Sequence, residues 1–193
     1  CFAPGRMNAP RESWFSYFFL PVGYPQSVAP EYYDYQVWDT IQQCIFFVNM
    51  VISTQAIMQF HGVGNPEATA LGATVLAMTR MVLGKAVALG ATVPGMLRRY
   101  KRRTCAYRMI DEILSAAGHF LEVLAAIFPV PVLMYLGPMV LSFEGGVRAA
   151  VRTVILQHFA RSGNNADVTL KEGNQDRGGK LVGLPVGIGL VFV

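Results

Sequence analysis

The chain has 193 residues, a length that fits one domain. Hydrophobic residues make up 53% and charged residues 15%, against about 25% charged in a typical soluble domain, so the chain is expected to meet a bilayer or a large buried interface. Its net charge of +4 rests on one local cluster, Arg98, Arg99, Lys101, Arg102 and Arg103, without which the charge is −1, and this excludes a nucleic-acid-binding face spread over a domain.

Residues 1–30 read as an irregular arm, punctuated by Pro4, Pro10, Pro21, Pro25 and Pro30. Proline removes an amide donor and restrains the residue before it, so no long helix is expected here. The aromatic run from Trp14 to Phe19 suits a membrane interface and equally suits packing on a helical body. Cys1–Ser13 lacks the basic-then-apolar layout of a signal peptide. A chain that starts at Cys1 and stops at Val193 inside an apolar run is expected to be a fragment or a processed form.

From residue 31 to 193 the pattern predicts a helical membrane domain. Thr40 to Pro66 contains no Asp, Glu, Lys or Arg, and a membrane span needs about 20 such residues. At 100° per residue Gln42, Asn49 and Ser53 fall on one line, and Gln43, Thr54 and His61 on the adjacent one. That polar wedge is expected to face other helices, since amides turned to lipid lack partners. The alternative is the central helix of a soluble bundle. Gly62 to Pro66 ends this helix, with Asn65 suited to the N-cap of the next and Pro66 to its first turn.

The next helix is expected over about Pro66–Leu89. Small residues recur four apart at Ala68/Gly72, Ala73/Ala77 and Gly84/Ala88, a spacing that lets helix backbones approach. Arg80 lies mid-helix. Either it pairs with an acid from another helix or this helix is not a full span, because a bare charge at bilayer depth costs about 2.5–3.5 kcal/mol. Pro94 breaks the pattern and the basic cluster follows, marking the cytoplasmic, stromal or matrix surface of a membrane protein and attracting anionic headgroups.

Residues 105–129 predict a further helix carrying Asp111, Glu112, His119 and Glu122. Val123 to Phe143 is uncharged but holds Pro129, Pro131 and Pro138, which suggests a broken or re-entrant path. Glu122 and Glu144 are candidate partners of Arg80 or Arg148. Leu181 to Val193 is apolar again. The fold expected is all-α, a membrane-embedded bundle of four to five long helices with the irregular arm attached.

Polar specificity concentrates between Gly145 and Gln175. Arg148 and Arg152 share a helix face, as do His158 and Arg161. Gly163 suits a C-cap and Asp167 the N-cap of a last helix, on which Lys171 and Gln175 share a face. Two readings follow. Arg148, Arg152, His158 and Lys171 form an anion site for a phosphate or carboxylate. Otherwise Arg148, Arg152, His158, Arg161, Asn165, Asp167, Lys171 and Gln175 form a structural polar core, with Asp167 and Glu172 neutralising the bases.

Other chemistry finds little support. Cys1, Cys44 and Cys105 form no Cys-x-x-Cys pair, and His61, His119 and His158 are far apart, so neither a metal site nor a disulfide is expected and no cofactor is required. Pigment or haem ligation would rest on a single histidine. There is no Gly-x-Ser-x-Gly elbow, and Gly84-Lys85 is followed by Ala86 in place of the Ser or Thr of a nucleotide-binding loop.

The motifs Gly145-Gly146-Val147-Arg148-Ala149-Ala150, His158 with Ala160-Arg161, Asn165-Ala166-Asp167-Val168, and Lys171 with Gln175 resemble the core of the Root UVB Sensitive family. Leu20-Pro21, Gly23-Tyr24-Pro25, Ser27-Val28, Pro30-Glu31-Tyr32, Tyr35-Gln36, Trp38-Asp39, Thr54-Gln55-Ala56, Gly62-Val63-Gly64-Asn65 and Ala68-Thr69 match in the same order. The resemblance covers roughly residues 20–190. Met78 to Gly90 is mostly apolar where the family has a polar, Gly-rich stretch, and the Arg98–Arg103 cluster is this chain's own, so a divergent or truncated member is expected.

The resemblance implies a eukaryotic membrane-associated helical protein. Plant members are linked to UV-B responses and seedling development, often in plastids, with auxin transport and vitamin B6 homeostasis implicated. The family has no established enzymatic activity, so no catalytic residue carries over. The expectation is a non-enzymatic integral membrane protein, a scaffold or accessory subunit in a plastid or another intracellular membrane. Its partners would be the lipid bilayer and other membrane subunits, and not nucleic acid. The alternative is a carrier for a small anionic metabolite using the 148–175 corner.

Overall fold

A computed structural model describes residues 14–60, 70–128, 130–161 and 163–192. Its helices are α1 (Trp14–Phe19), α2 (Tyr32–Phe60), α3 (Ala70–Ala91), α4 (Pro94–Arg102), α5 (Thr104–Ile127), α6 (Pro131–Phe159) and α7 (Asn165–Val191). Among the described residues every regular element is helical, and five of the helices are long. Among the described residues one helix, over Tyr32–Gln59, is long and apolar enough to cross a membrane by length and composition. His61 and the expected cap at Gly62–Pro66 lie outside the described residues.

The sequence sets most of the breaks. Pro94 cannot continue α3 and instead opens α4, where its missing N–H is harmless. A single non-helical residue, Arg103, separates α4 from α5. Phe128 and Val130 are extended, and Pro131 then opens α6. Pro138 does not break the chain: it sits inside a continuous α6. The broken or re-entrant path expected over Val123–Phe143 is therefore an α5–α6 hairpin with one break near residues 128–130. The interior proline removes only one backbone bond. Gly163, at φ +67°, supplies the left-handed step between α6 and α7.

The long helices pack in the spatial order α3, α6, α5, α2, α7. Contacts give their directions. Asp39 meets Arg108 and Ser53 meets His119, so α2 and α5 run parallel. Asp111 meets Arg148 while Gly118 meets Leu141, so α5 and α6 are antiparallel. Gly179 faces Gln43, Gly183 faces Cys44 and Phe47, and Gly187 faces Val51, so α7 runs parallel to α2. These three glycines, four apart, let the two backbones approach, and Gly84 does the same for α3 against Ser142 of α6.

Of the two lines of the polar wedge, Gln42 and Ser53 do face α5, and Gln43 faces α7. Thr54 does not; it is exposed. The apolar clusters are small and sit at one end. Val28, Ala29, Tyr32, Leu156, Phe159 and Val168 form one; Ala91, Tyr100, Val147 and Val151 form the other. Tyr100 donates to the Ala91 carbonyl at 2.7 Å. Burial raises its phenol above the ordinary range, so it serves as a neutral donor. This leaves the basic face of α4 outward, with Arg98, Arg99, Lys101 and Arg102 exposed and Arg103 beside them.

Candidate functional site: a buried ion-pair core

Helices α2, α5, α6 and α7 bring charged side chains together at the end of the bundle that holds α4. Arg108 is the hub. Its guanidinium donates to Asp39 at 2.6 Å, to Gln42 at 2.7 Å and to Asp111 at 2.5 Å, and it lies 2.6 Å from Glu112. Arg148 reaches Glu144 at 2.7 Å and Asp111 at 3.3 Å, and its guanidinium stacks over Phe46 at 4.8 Å. Arg152 pairs with Glu172 and with Asp176, the latter at 2.5 Å. Asp111 is wholly buried, and Glu172, Glu144 and Asp39 nearly so. Buried charges persist only when paired and hydrogen-bonded, and the parallel and antiparallel registers above supply the pairing.

A second, smaller pairing lies further along the bundle. Arg80 of α3 donates to Glu122 of α5 at 3.0 Å, which resolves the mid-helix charge as one partnered by another helix. Glu122 is also 3.7 Å from His119 Nδ1, which shares a hydrogen bond with the Ser53 hydroxyl at 2.9 Å.

The residues singled out in the 148–175 segment divide into three groups. Arg148 and Arg152 belong to the ion-pair core. Asp167, Lys171 and Gln175 instead hold the N-terminal arm. Lys171 donates to the Tyr17 carbonyl, Asn174 to Phe18 at 2.9 Å and Gln175 to Phe19 at 2.8 Å. These are carbonyls of the last turn of α1, which have no partner within that helix. Asp167 is not the N-cap. The helix begins two residues before it, after Asn164, and its carboxylate accepts the Val22 amide at 2.7 Å. His158, Arg161 and Asn165 are exposed and stay outside the core.

Arg108, Asp39, Asp111 and Asp176 are missed by a reading centred on the 148–175 segment. Asp39 falls in the Trp38-Asp39 pair that carries the resemblance, and Asp111 shares its helix with Arg108, Glu112, His119 and Glu122. The signal was present in the rarity of charge. What it lacked was the pairing partner.

The space enclosed by Tyr35, Asp39, Gln43, Arg108, Arg148, Arg152 and Glu172 is about 10 Å³, room for about one water. All three guanidiniums are already engaged by carboxylates. In this conformation the arrangement can hold helices together, and it has no space for a bound metabolite. Asp39, Glu172 and Asp176 lie close enough to share a cation, but Arg152 already occupies that role for Glu172 and Asp176.

Replacing Lys171, which is 8% exposed, by methionine keeps the stem and removes the donor. The expected cost is about 1.5–3 kcal/mol, the range for hydrogen bonds to charged groups. Limited proteolysis checks it: cleavage near residues 14–20 should quicken in the variant while the rest of the bundle stays resistant.

Residues 8–193 match the family described as "Vitamin B6 photo-protection and homoeostasis domain". Among curated relatives, the chain is 33% identical over 174 residues to "Protein root UVB sensitive 3" of Arabidopsis thaliana, covering 88% of this chain and 39% of that protein. It is 30% identical over 172 residues to "RUS family member 1" of Dictyostelium discoideum, covering 86% of this chain and 32% of the relative. It is 28% identical over 183 residues to "Protein root UVB sensitive 5" of Arabidopsis thaliana, covering 89% and 35%. The chain thus spans 32–39% of the length of these relatives. No solved structure matches it.

Proposed function

This chain belongs to the Root UVB Sensitive family, and from that premise we propose that it is a non-enzymatic integral membrane protein, a scaffold or accessory subunit of an organellar membrane assembly. One observation carries the reading: burial is inverted. Asp111, Glu172 and Glu144 are 0%, 2% and 4% exposed, while Leu181, Leu89 and Val82 are 76%, 72% and 67% exposed. In water this arrangement loses the hydrophobic contribution of the outer residues. In a bilayer it is the favourable one, with charges paired inside and aliphatic side chains against lipid. The long helices have 22–29 residues, and at 1.5 Å per residue each reaches about 33–44 Å, longer than a hydrocarbon core of about 30 Å.

The exposed cations of α4 sit at the end where α2, α5 and α7 begin, which in this reading is the end that faces the cytoplasm, stroma or matrix. The non-enzymatic part of the proposal rests on the core itself, whose carboxyls and guanidiniums are committed to one another. We place any part in vitamin B6 homoeostasis in the assembly that the protein supports, in a plastid membrane where the host has plastids. Alkaline carbonate washing of membranes checks the central point. The full chain should stay in the pellet and leave it only with detergent. Release by carbonate alone would sink the proposal, and a detergent-extracted protein running at monomer mass with nothing co-purifying would remove the accessory-subunit part. Fractionation of the host cell checks the compartment.

A further inference from the structure

A cleft of about 480 Å³ lies between α1, α2 and α7, inside the range of roughly 300–1,000 Å³ typical of small-molecule sites. Its walls are Phe15 and Phe19 of α1, Val37, Ile41 and Cys44 of α2, and Val182 of α7. Gly178 keeps the α7 side low: a Cβ there would meet nothing closer than Phe19 at 3.7 Å. The cleft is bounded by α1, which the donors of Lys171, Asn174 and Gln175 fix in place.

Among the described residues no Asp, Glu, Lys or Arg lines this cleft. Its polar character comes from Tyr32, Thr40, Gln175 and above all Gln36. Gln36 is 5% exposed, and both its carboxamide nitrogen and its oxygen lack a hydrogen-bond partner among the described residues. Thr40 is engaged elsewhere, donating to the Gln36 backbone carbonyl at 2.7 Å. A buried amide with donor and acceptor both idle is rare in folded proteins, because such groups are otherwise paired. A bound molecule that brings both an acceptor and a donor would complete it, while a charged group would enter an apolar cleft with no counter-ion.

We propose that the cleft binds an uncharged lipid, an apolar chain ending in a hydroxyl and an ester carbonyl, with its head bonded to the Gln36 carboxamide and its chain along Val37, Ile41 and Val182. The site goes beyond the membrane reading and does not depend on it, because the same cleft would take such a lipid from micelles.

Cys44 gives a direct readout, because it lines the cleft and is a free, half-buried thiol, while the free thiol of Cys105 is exposed and does not line it. The full chain, in phosphatidylcholine nanodiscs, is treated with N-ethylmaleimide and alkylation is mapped by peptide mass. Added dioleoylglycerol should slow modification of Cys44 and leave Cys105 unchanged; hexadecane and oleate should protect far less. Gln36→Leu should raise the half-protecting concentration of dioleoylglycerol by about tenfold, the loss of roughly one hydrogen bond, without lowering the melting temperature. Val182→Trp, at an exposed position where a larger side chain can turn into the cleft, should make Cys44 alkylation insensitive to lipid. Protection by hexadecane equal to that by dioleoylglycerol, absence of protection, an unchanged half-protecting concentration in Gln36→Leu, or retained lipid sensitivity in Val182→Trp would each overturn the proposal. None of these outcomes alters what carbonate washing reports about membrane residence.

Discussion

Replacing Gly183 by alanine is expected to push α2 and α7 apart and to destabilise the protein by about 1–3 kcal/mol, the range for overpacking. Leucine at the same position is expected to prevent the native pairing. The added Cβ would lie 2.6 Å from the Cys44 carbonyl oxygen, 2.9 Å from the Phe47 Cβ and 3.2 Å from the Cys44 Cα. Two of those atoms are backbone, so no rotamer change relieves the clash and a whole helix must move. Gly189 is the internal control. It lies on the same helix with nothing within 4 Å of an added Cβ, and Gly189→Ala should gain up to about 1 kcal/mol from helix propensity. Thermal unfolding in one detergent, followed by circular dichroism, compares the two. Equal melting temperatures for Gly183→Ala and Gly189→Ala would show that the close approach of α2 and α7 does not exist.

The second large effect is expected at Arg108. Its side chain is 16% exposed and touches Asp39, Asp111 and Glu112, drawn from two helices. Arg108→Met keeps most of the packing and leaves those acids short of a partner. Removing one member of a buried pair costs about 3–5 kcal/mol, much of it the penalty of the charge left behind. The surroundings make this worse, since six carboxyls (Asp39, Asp111, Glu112, Glu144, Glu172, Asp176) already face three guanidiniums. Arg108→Lys should recover only part, because an ammonium cannot present the planar fork that serves Asp39 and Asp111 together. The double variant Arg108→Met/Asp39→Asn should be more stable than Arg108→Met alone, with a coupling of about 0.5–3 kcal/mol in a double-mutant cycle. Strictly additive effects would mean that the 2.6 Å contact to Asp39 carries no coupling.

Much of the architecture was legible from pattern. The proline at 94 and the glycine at 163 place helix boundaries by local sterics, and the charge-free stretch from Thr40 marks the body of α2 by composition, all properties of a few adjacent residues. Pro138 was misleading because a proline's effect in a helix depends on what surrounds it, and the sequence does not show that. The polar core was half visible. Arg148, Arg152 and Glu172 stand out in a region rich in polar residues, whereas Arg108 and Asp39 matter only through their meeting across helices. Asp167 illustrates the limit most clearly: its type and place suit a cap, yet the helix starts earlier and the carboxylate serves a backbone amide of the arm. The glycines at 179, 183 and 187 carry the same four-residue spacing as Gly84/Ala88, yet they were passed over beside the polar segment that precedes them, and their role emerges only where their faces meet α2.

The parallel pairing of α2 with α7 also bears on how the protein can be made. The amide of Val22 waits for a carboxylate 145 residues downstream, and the glycine face that covers Cys44 belongs to the last helix of the segment. At about 5–20 residues per second, the ribosome needs on the order of 10 s or more between the two. Throughout that interval α2 displays Asp39 and Gln36 with neither α7 nor the docked arm to cover them. Contacts so distant in sequence form slowly even in a complete chain. Truncations that remove α7 should therefore leave the earliest helix exposed to quality-control proteases, and the nascent chain would need a holding partner until its final turn emerges.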